Sequence, residues 1–401
     1  MTSNTSLIIL SGLVIFSYLF DIMAGKTKIP SVILLMLLGI IIKQVLTYFG
    51  LTTYNFGTLL PTLGTLGLIL IVFEGALELK YSKDKNQVIK KSFLSALVTL
   101  FVSSFLITWI ISYISGQDYY RCFINAIPFC VVSSAVAIPS SSNISKEKRE
   151  FIVYESSFSD ILTVILFNFM INNRHISVLS FTNLGIELSS ILLVSICSCL
   201  LLLYLIGRLN HHIKSFLIIS LLILVYSIGQ VFRLSSLVIV LALGLFLNNA
   251  NQIKFPFFKK YFIYPKLGSD IKQLFHISAE SAFLLRTFFF IIFGLTMDVS
   301  QLQNWPVLLS GGAILVAIYV VRVLYIKLVN KTDLMPELVL IPRGLISILL
   351  YYSLPPDLKI KGIETGLLFV VILGTSVVMS LGLFFSKTQV AVSNNDVTDV
   401  V

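Results

Sequence analysis

Apolar stretches of about 18 to 25 residues recur along the chain from near Ser6 to about residue 387, each parted from the next by a short polar or charged interval. Wound as a helix, such a stretch is long enough to cross a hydrocarbon core of about 30 Å, so the pattern reads as a series of membrane spans. The first covers residues 6–24. It lacks a basic leading segment and a small-residue cleavage site and carries Asp21 near its end, so it counts as a span and not as a signal peptide. Further spans are expected at 29–49, 58–78, 90–114, 120–142, 149–172, 184–206, 213–230, 234–249, 279–298, 304–329, 335–353 and 363–386, thirteen in all. The fifth and twelfth contain Pro139 and the run Ile341-Pro342-Arg343-Gly344, and both are expected to be broken helices.

Composition agrees with this reading. Hydrophobic residues make up 57% of the 401 and charged residues only 12%, against about 25% charged in a soluble domain. The fold class is therefore an all-α polytopic membrane protein, with one transmembrane domain over 1–387 and a short, disordered cytoplasmic tail over 388–401. The net charge of +10 is spread over short loops instead of gathered into one patch, which argues against a nucleic-acid partner. It serves better as a topology signal. Twenty Lys and Arg belong to the loops after odd-numbered spans and to the tail, and six to the loops after even-numbered spans, which puts the N-terminus outside and the C-terminus in the cytoplasm. Cys122, Cys130, Cys197 and Cys199 fall in apolar stretches without metal-ligand spacing and read as core filling. The loop over 251–276, with five lysines and several aromatics, reads as an amphipathic interfacial segment.

The chain also echoes itself. Ile29-Pro30-Ser31-Val32 leading to Gly39 is matched by Leu234-Ser235-Ser236-Leu237 leading to Gly244, at an offset of 205. Phe73-Glu74-Gly75-Ala76-Leu77-Glu78 is matched by Phe293-Gly294-Leu295-Thr296-Met297-Asp298, at an offset of 220. Each pair is seven spans apart, as are the two proline-broken spans. Seven is odd, so the copies would cross the bilayer in opposite directions, spans 2–6 being echoed by spans 9–13 as an inverted repeat. Paired broken helices in two such halves point to a substrate site near the middle of the membrane.

The sixth span reads Glu155-Ser156-Ser157-Phe158-Ser159-Asp160, with two carboxylates inside an apolar helix. An ionised side chain at mid-bilayer costs about 2.5 to 3.5 kcal/mol, so each acid needs a partner or a cavity. At about 100° per residue Ser156 and Asp160 share one face, while Glu155, Ser159 and Thr163 form a neighbouring stripe. Three arginines, Arg286, Arg322 and Arg343, lie inside spans. Glu155 is read as a structural acid paired with Arg286 or, second, Arg343, because a guanidinium stays charged and forks onto a carboxylate. Asp160 is then left without a fixed partner, beside hydroxyls and freed carbonyls. Such a hard-oxygen site suits a proton or a small monovalent cation.

With these residues in hand, the whole chain resembles the monovalent cation/proton antiporter family of the sodium/proton exchanger type. The resemblance is carried by Ile29-Pro30-Ser31, Phe73-Glu74-Gly75, Glu155-Ser156-x-x-Ser159-Asp160, Phe293-Gly294-Leu295 and Pro342-Arg343-Gly344. It implies a core domain moving against a dimerisation domain in a homodimer, in a bacterial plasma membrane, with no cofactor. It also implies that Asp160 alternates between the cation and a proton with Ser156 as a further ligand. Ser133 and Ser134 stand in the broken span where electroneutral members carry Thr-Asp-Pro, and are taken as ion-site residues beside Pro139. Glu74 lies near the ion route in some members; here it is placed with Ser159, Arg286 and Arg343 in the supporting network, or read as a structural carboxylate. Electroneutral members have Asn-Asp where this chain has Ser159-Asp160, so a single-carboxylate site and one-for-one exchange are expected, with Na⁺ first and Li⁺ or K⁺ as alternatives. Three rivals stay open: a channel of the same fold, an organic-anion carrier using half-helix ends and Arg343, and an intramembrane enzyme. The last is disfavoured because His175, His211, His212 and His276 lie in or beside loops and no second mid-span aspartate joins Asp160.

Overall fold

A computed structural model of the chain describes residues 3–27, 30–50, 59–79, 83–141, 144–174, 177–208, 214–232, 234, 236–253, 256, 258, 262–263, 265–297, 299–330, 333–360 and 365–385. The 388–401 tail, Asn143, Ser235 and Asp298 lie outside them, as does the side chain of Glu78. The described secondary structure is entirely helical. Seven of its helices or helix pairs are long and apolar enough to cross a membrane, and the protein is an integral membrane protein.

Contacts sort the helices into two groups. One holds α1 (Ser3–Thr27), α2 (Ser31–Tyr48), α3 (Leu59–Glu78), α8 (Val178–Arg208), α9 (Lys214–Val231), α10 (Ser236–Asn249) and α11 (Leu267–Thr296). The other holds α4 (Asn86–Ser115), α5 (Tyr119–Cys130), α6 (Ser134–Ser140), α7 (Lys146–Asn172), α12 (Trp305–Tyr325), α13 (Leu345–Tyr352) and α14 (Thr365–Phe385). The groups meet mainly where α3 and α10 face α7 and α13.

Small residues set how closely the helices approach, as in membranes generally, where no hydrophobic drive holds one helix to another. Where α2 crosses α11, a Cβ on Gly39 would run into the Ile291 carbonyl and lie 3.0 Å from the Gly294 Cα, and a Cβ on Gly294 would run into the Met36 carbonyl. Gly244, the sequence echo of Gly39, does the same work on α10, whose Cβ-free face lies on Phe73 and Ala76 of α3. In the second group α4 turns Ser92 and Ser95 inward toward α7, where the Ser92 hydroxyl donates to the Phe151 carbonyl at 3.1 Å.

Three expectations need correction. The break in the fifth span falls at Val131–Ser133, between α5 and α6, and not at Pro139, which sits inside α6. Partners outside the helix, not the proline, hold the chain open there. The connection after α10 is shorter than read, because α11 begins at Leu267 and takes in His276; Lys254, Lys259 and Lys260 lie outside the described residues. Cys197 is exposed and not core filling, whereas Cys122, Cys130 and Cys199 are buried.

Gly39→Ala is expected to lower thermal stability by about 1 to 3 kcal/mol through forced separation of α2 and α11. Gly312→Ala on α12, where a Cβ meets nothing within 4 Å, should be neutral or mildly stabilising. Thermal unfolding in detergent compares the two, and equal midpoints would show that the close crossing contributes nothing.

Candidate ion site

Glu155 and Asp160 both lie on α7, five residues apart, which at about 100° per residue points them about 140° away from each other. Each is almost wholly buried, at 1% and 4% exposure. Their surroundings differ entirely.

Glu155 is locked. The Arg322 guanidinium grips it with both arms, Nη1 on Oε1 and Nη2 on Oε2 at 2.7 Å, while the Ser95 hydroxyl donates to Oε1. The rest of the guanidinium is also engaged. Nε and Nη2 donate to the Glu337 carbonyl at 3.0 and 2.9 Å, and Nη1 also reaches Ser95 Oγ at 3.2 Å. The expected partners, Arg286 and Arg343, are therefore corrected to Arg322. The reason is helix placement: α12 lies on α4, and α4 lies on the Glu155 side of α7. Arg322 was visible as one of three in-span arginines, but nothing in its local sequence marks which acid it meets.

The other two arginines satisfy backbone carbonyls. Arg343 donates from Nε to the Phe129 carbonyl near the C-terminal end of α5 at 2.7 Å and from Nη1 to the Ile341 carbonyl at 2.8 Å; its own N–H donates to Thr375 Oγ1 at 3.0 Å. Arg286 donates from Nη1 to the Ala135 carbonyl at 2.8 Å.

The two interrupted spans meet beside Asp160. The Ser133 N–H donates to the Pro342 carbonyl at 2.9 Å, joining one break to the other. A Cβ on Gly344 would press on the Ser133 side chain, so glycine is what lets the segments come this close. Ser159 accepts the Val132 N–H at 2.9 Å and so supports the break instead of facing an ion. Asp160 receives the Ser134 N–H on Oδ2, at a long 3.4 Å, and its Oδ1 has no hydrogen-bond partner within the protein. Ser133 Oγ and Thr163 Oγ1 are likewise buried and unpartnered.

Asp160 faces a narrow cavity between the two helix groups, with water-sized room of about 10 Å³, enough for about one small occupant. Its polar lining is Ser134, Ser157 and Asp160; α3 contributes Gly75 and α10 contributes Leu241. Ser157 is the residue sequence reasoning passed over: it stands three positions before Asp160, and that i,i+3 spacing was the available signal. Ser156 is fully buried, and its hydroxyl donates to the Ile152 carbonyl at 2.8 Å. Glu74, half-buried next to Gly75, is engaged in an interaction of its own.

Two helix groups, paired broken helices and a buried carboxylate in a cavity between the groups together describe a secondary transporter. The transmembrane sodium/hydrogen exchanger family matches residues 11–388. The chain belongs to that family: it is a cation/proton antiporter and not an enzyme. No curated protein sequence matches it. Its fold is similar to that of the sodium proton antiporter MjNhaP1 from Methanocaldococcus jannaschii, solved at pH 8, with a TM-score of 0.69 and 21% identity over 96% of this chain and 99% of that one. A second structure of MjNhaP1, from an electron-microscopy map, matches with a TM-score of 0.69 and 20% identity over 96% of this chain and 95% of that one.

Removing one member of a buried pair leaves the other charge stranded, at a cost of about 3 to 5 kcal/mol. Glu155→Ala and Arg322→Ala are each expected to destabilise the protein by that order, and the double substitution by less than the sum. A Glu155→Ala protein as stable as the parent but unable to transport would move Glu155 into the ion site.

Proposed function

We propose that this protein exchanges one monovalent cation, Na⁺ before Li⁺ or K⁺, for one proton by alternating access, with Asp160 as the carrier. The observation that carries the reading is the contrast between the two acids of α7. Glu155 has its charge matched and its oxygens occupied, whereas Asp160 has an unpartnered oxygen in a cavity between the helix groups. One exchangeable carboxylate holds either a proton or a cation, so the two legs of the cycle move equal charge. The remaining ligands are hard oxygens: the Ser157 hydroxyl, which lines the cavity, with Ser133 and Thr163 close by in sequence to its other lining residues. Ser156 and Ser157 both donate to the carbonyl four residues back, at 2.8 Å, and keep their oxygen lone pairs; Ser157 lines the cavity and Ser156 does not, so Ser156 stands outside this set. The organic-anion alternative loses its anchor, since Arg343 is occupied by carbonyls.

Alternating access would be movement of the group containing α4–α7 and α12–α14 against the group containing α2, α3, α10 and α11. The sequence echo supports it, because Gly39 and Gly244 serve equivalent crossings. A homodimer in a bacterial plasma membrane, N-terminus outside and C-terminus cytoplasmic, completes the reading.

Proteoliposomes carrying an internal pH dye, with the potential clamped at zero, test it. External Na⁺ should alkalinise the lumen for the parent and fail to do so for Asp160→Asn; full activity in the variant would mean that another acid carries the ion. A cycle moving one net charge would shift its equilibrium by about 2.3 kcal/mol per 100 mV, about fiftyfold in ion ratio. The expected shift is none. Ser157→Ala should raise the apparent KM for the cation about two- to tenfold, the worth of one oxygen contact. An unchanged KM removes Ser157 from the ion's shell.

A further inference from the structure

The hydrogen bond from Arg286 to Ala135 joins the two helix groups, and its origin lies four residues downstream of the acceptor. In a helix the carbonyl of residue 135 is taken by the N–H of residue 139. Here residue 139 is proline, which has no N–H, so α6 carries a freed carbonyl at Ala135 inside the membrane. Water is not at hand to satisfy it, and a protein donor has to be supplied. Arg286 on α11 supplies one from Nη1 at 2.8 Å. A proline on one group and an arginine on the other thus make one charge-assisted bond across the boundary. Ala135 directly follows Ser134, whose N–H faces Asp160 and whose side chain lines the cavity.

We infer that Arg286 is a positioning residue: by capping the carbonyl that Pro139 frees, it holds α6 against α11 and keeps Ser134 in register with Asp160. The inference rests on the antiport reading only for its consequence in transport; the bond itself is a statement about α6 and α11. Without the cap the first turn of α6 has an unsatisfied carbonyl, and its alternative is to turn away from α11 and carry Ser134 with it. The cation site then loses definition while the chemistry at Asp160 is retained.

Three variants read this out: Arg286→Gln, Arg286→Lys, and Arg286→Gln on a Pro139→Ala background, where the restored N–H gives the Ala135 carbonyl a partner within α6. Arg286→Gln is expected to raise the apparent KM for Na⁺ about tenfold, the weight of one charge-assisted hydrogen bond, with the maximal rate changed less than about twofold. Arg286→Lys, which keeps a charged donor, should recover most of that loss. On the Pro139→Ala background the same Arg286→Gln change should have an effect several-fold smaller. The thermal midpoint of unfolding should follow the same order, and it is measured without transport. A parent-like KM for Arg286→Gln overturns the inference, and so does an equal loss on both backgrounds, which would mean that Arg286 acts through something other than the proline-freed carbonyl. If the parent catalyses no exchange, the antiport reading fails while the midpoints still decide the bond: coupling between positions 139 and 286 supports it, and additivity overturns it.

Discussion

Inside a hydrocarbon layer a backbone N–H or C=O has no water to turn to, and this requirement governs how the two interrupted spans are built. Every break exposes groups that a continuous helix would have paired. The structure meets them one by one: Ser159 takes the Val132 N–H, the Pro342 carbonyl takes the Ser133 N–H, Arg343 covers the Phe129 carbonyl and Arg286 covers Ala135. Because these partners come from α7, from the opposite break and from α11, the breaks hold only when the surrounding helices are in place. The proposed ion site is a by-product of the same arrangement, since the N–H that reaches Asp160 belongs to the residue that opens α6.

Electrostatics divides the two acids of α7 by the same logic of satisfaction. A buried pair is tolerated when geometry and additional hydrogen bonds offset desolvation, and Glu155 has a two-armed guanidinium and a serine hydroxyl. Asp160 has one long N–H contact and a free oxygen. The first acid holds α7 to α4 and α12; the second is what a carrier on the proposed mechanism needs, an acid whose partner is mobile. Both assignments follow from where the donors are, and neither follows from burial, which is nearly equal for the two.

Much of this was legible in the sequence because membrane helices are written in runs of apolar residues, and a run of that length has few alternatives. The approximate positions of the helices, the interruption near Pro342 and the lack of a charged partner for Asp160 all came from local pattern. Pairings did not. Arg322 is separated from Glu155 by 167 residues, and which of three arginines meets which acid depends on how α12 lies on α4. Pro139 signalled an interruption but not its place, because the chain opens where the Ser159 hydroxyl and the Pro342 carbonyl accept its freed N–H groups and Arg343 donates to its freed carbonyl, several residues before the proline. Ser157 was passed over in favour of Ser156 because helical periodicity ranks faces only relative to one another, and the direction of the cavity comes from α3 and α10.

By itself, then, the sequence determined that this chain is a helical membrane protein with an acid it cannot hide at Asp160, since composition and period are properties of consecutive residues. Its echoes at Gly39 and Gly244 marked a repeat, and the packing of α2 on α11 and of α10 on α3 showed that helices come close there. Tertiary structure alone decided which charges cancel, which carbonyls each arginine covers and which side of α7 opens onto the cavity. The physical reason is that these are contacts between side chains distant in sequence, and their energy depends on the separation and orientation of helices that no local pattern encodes.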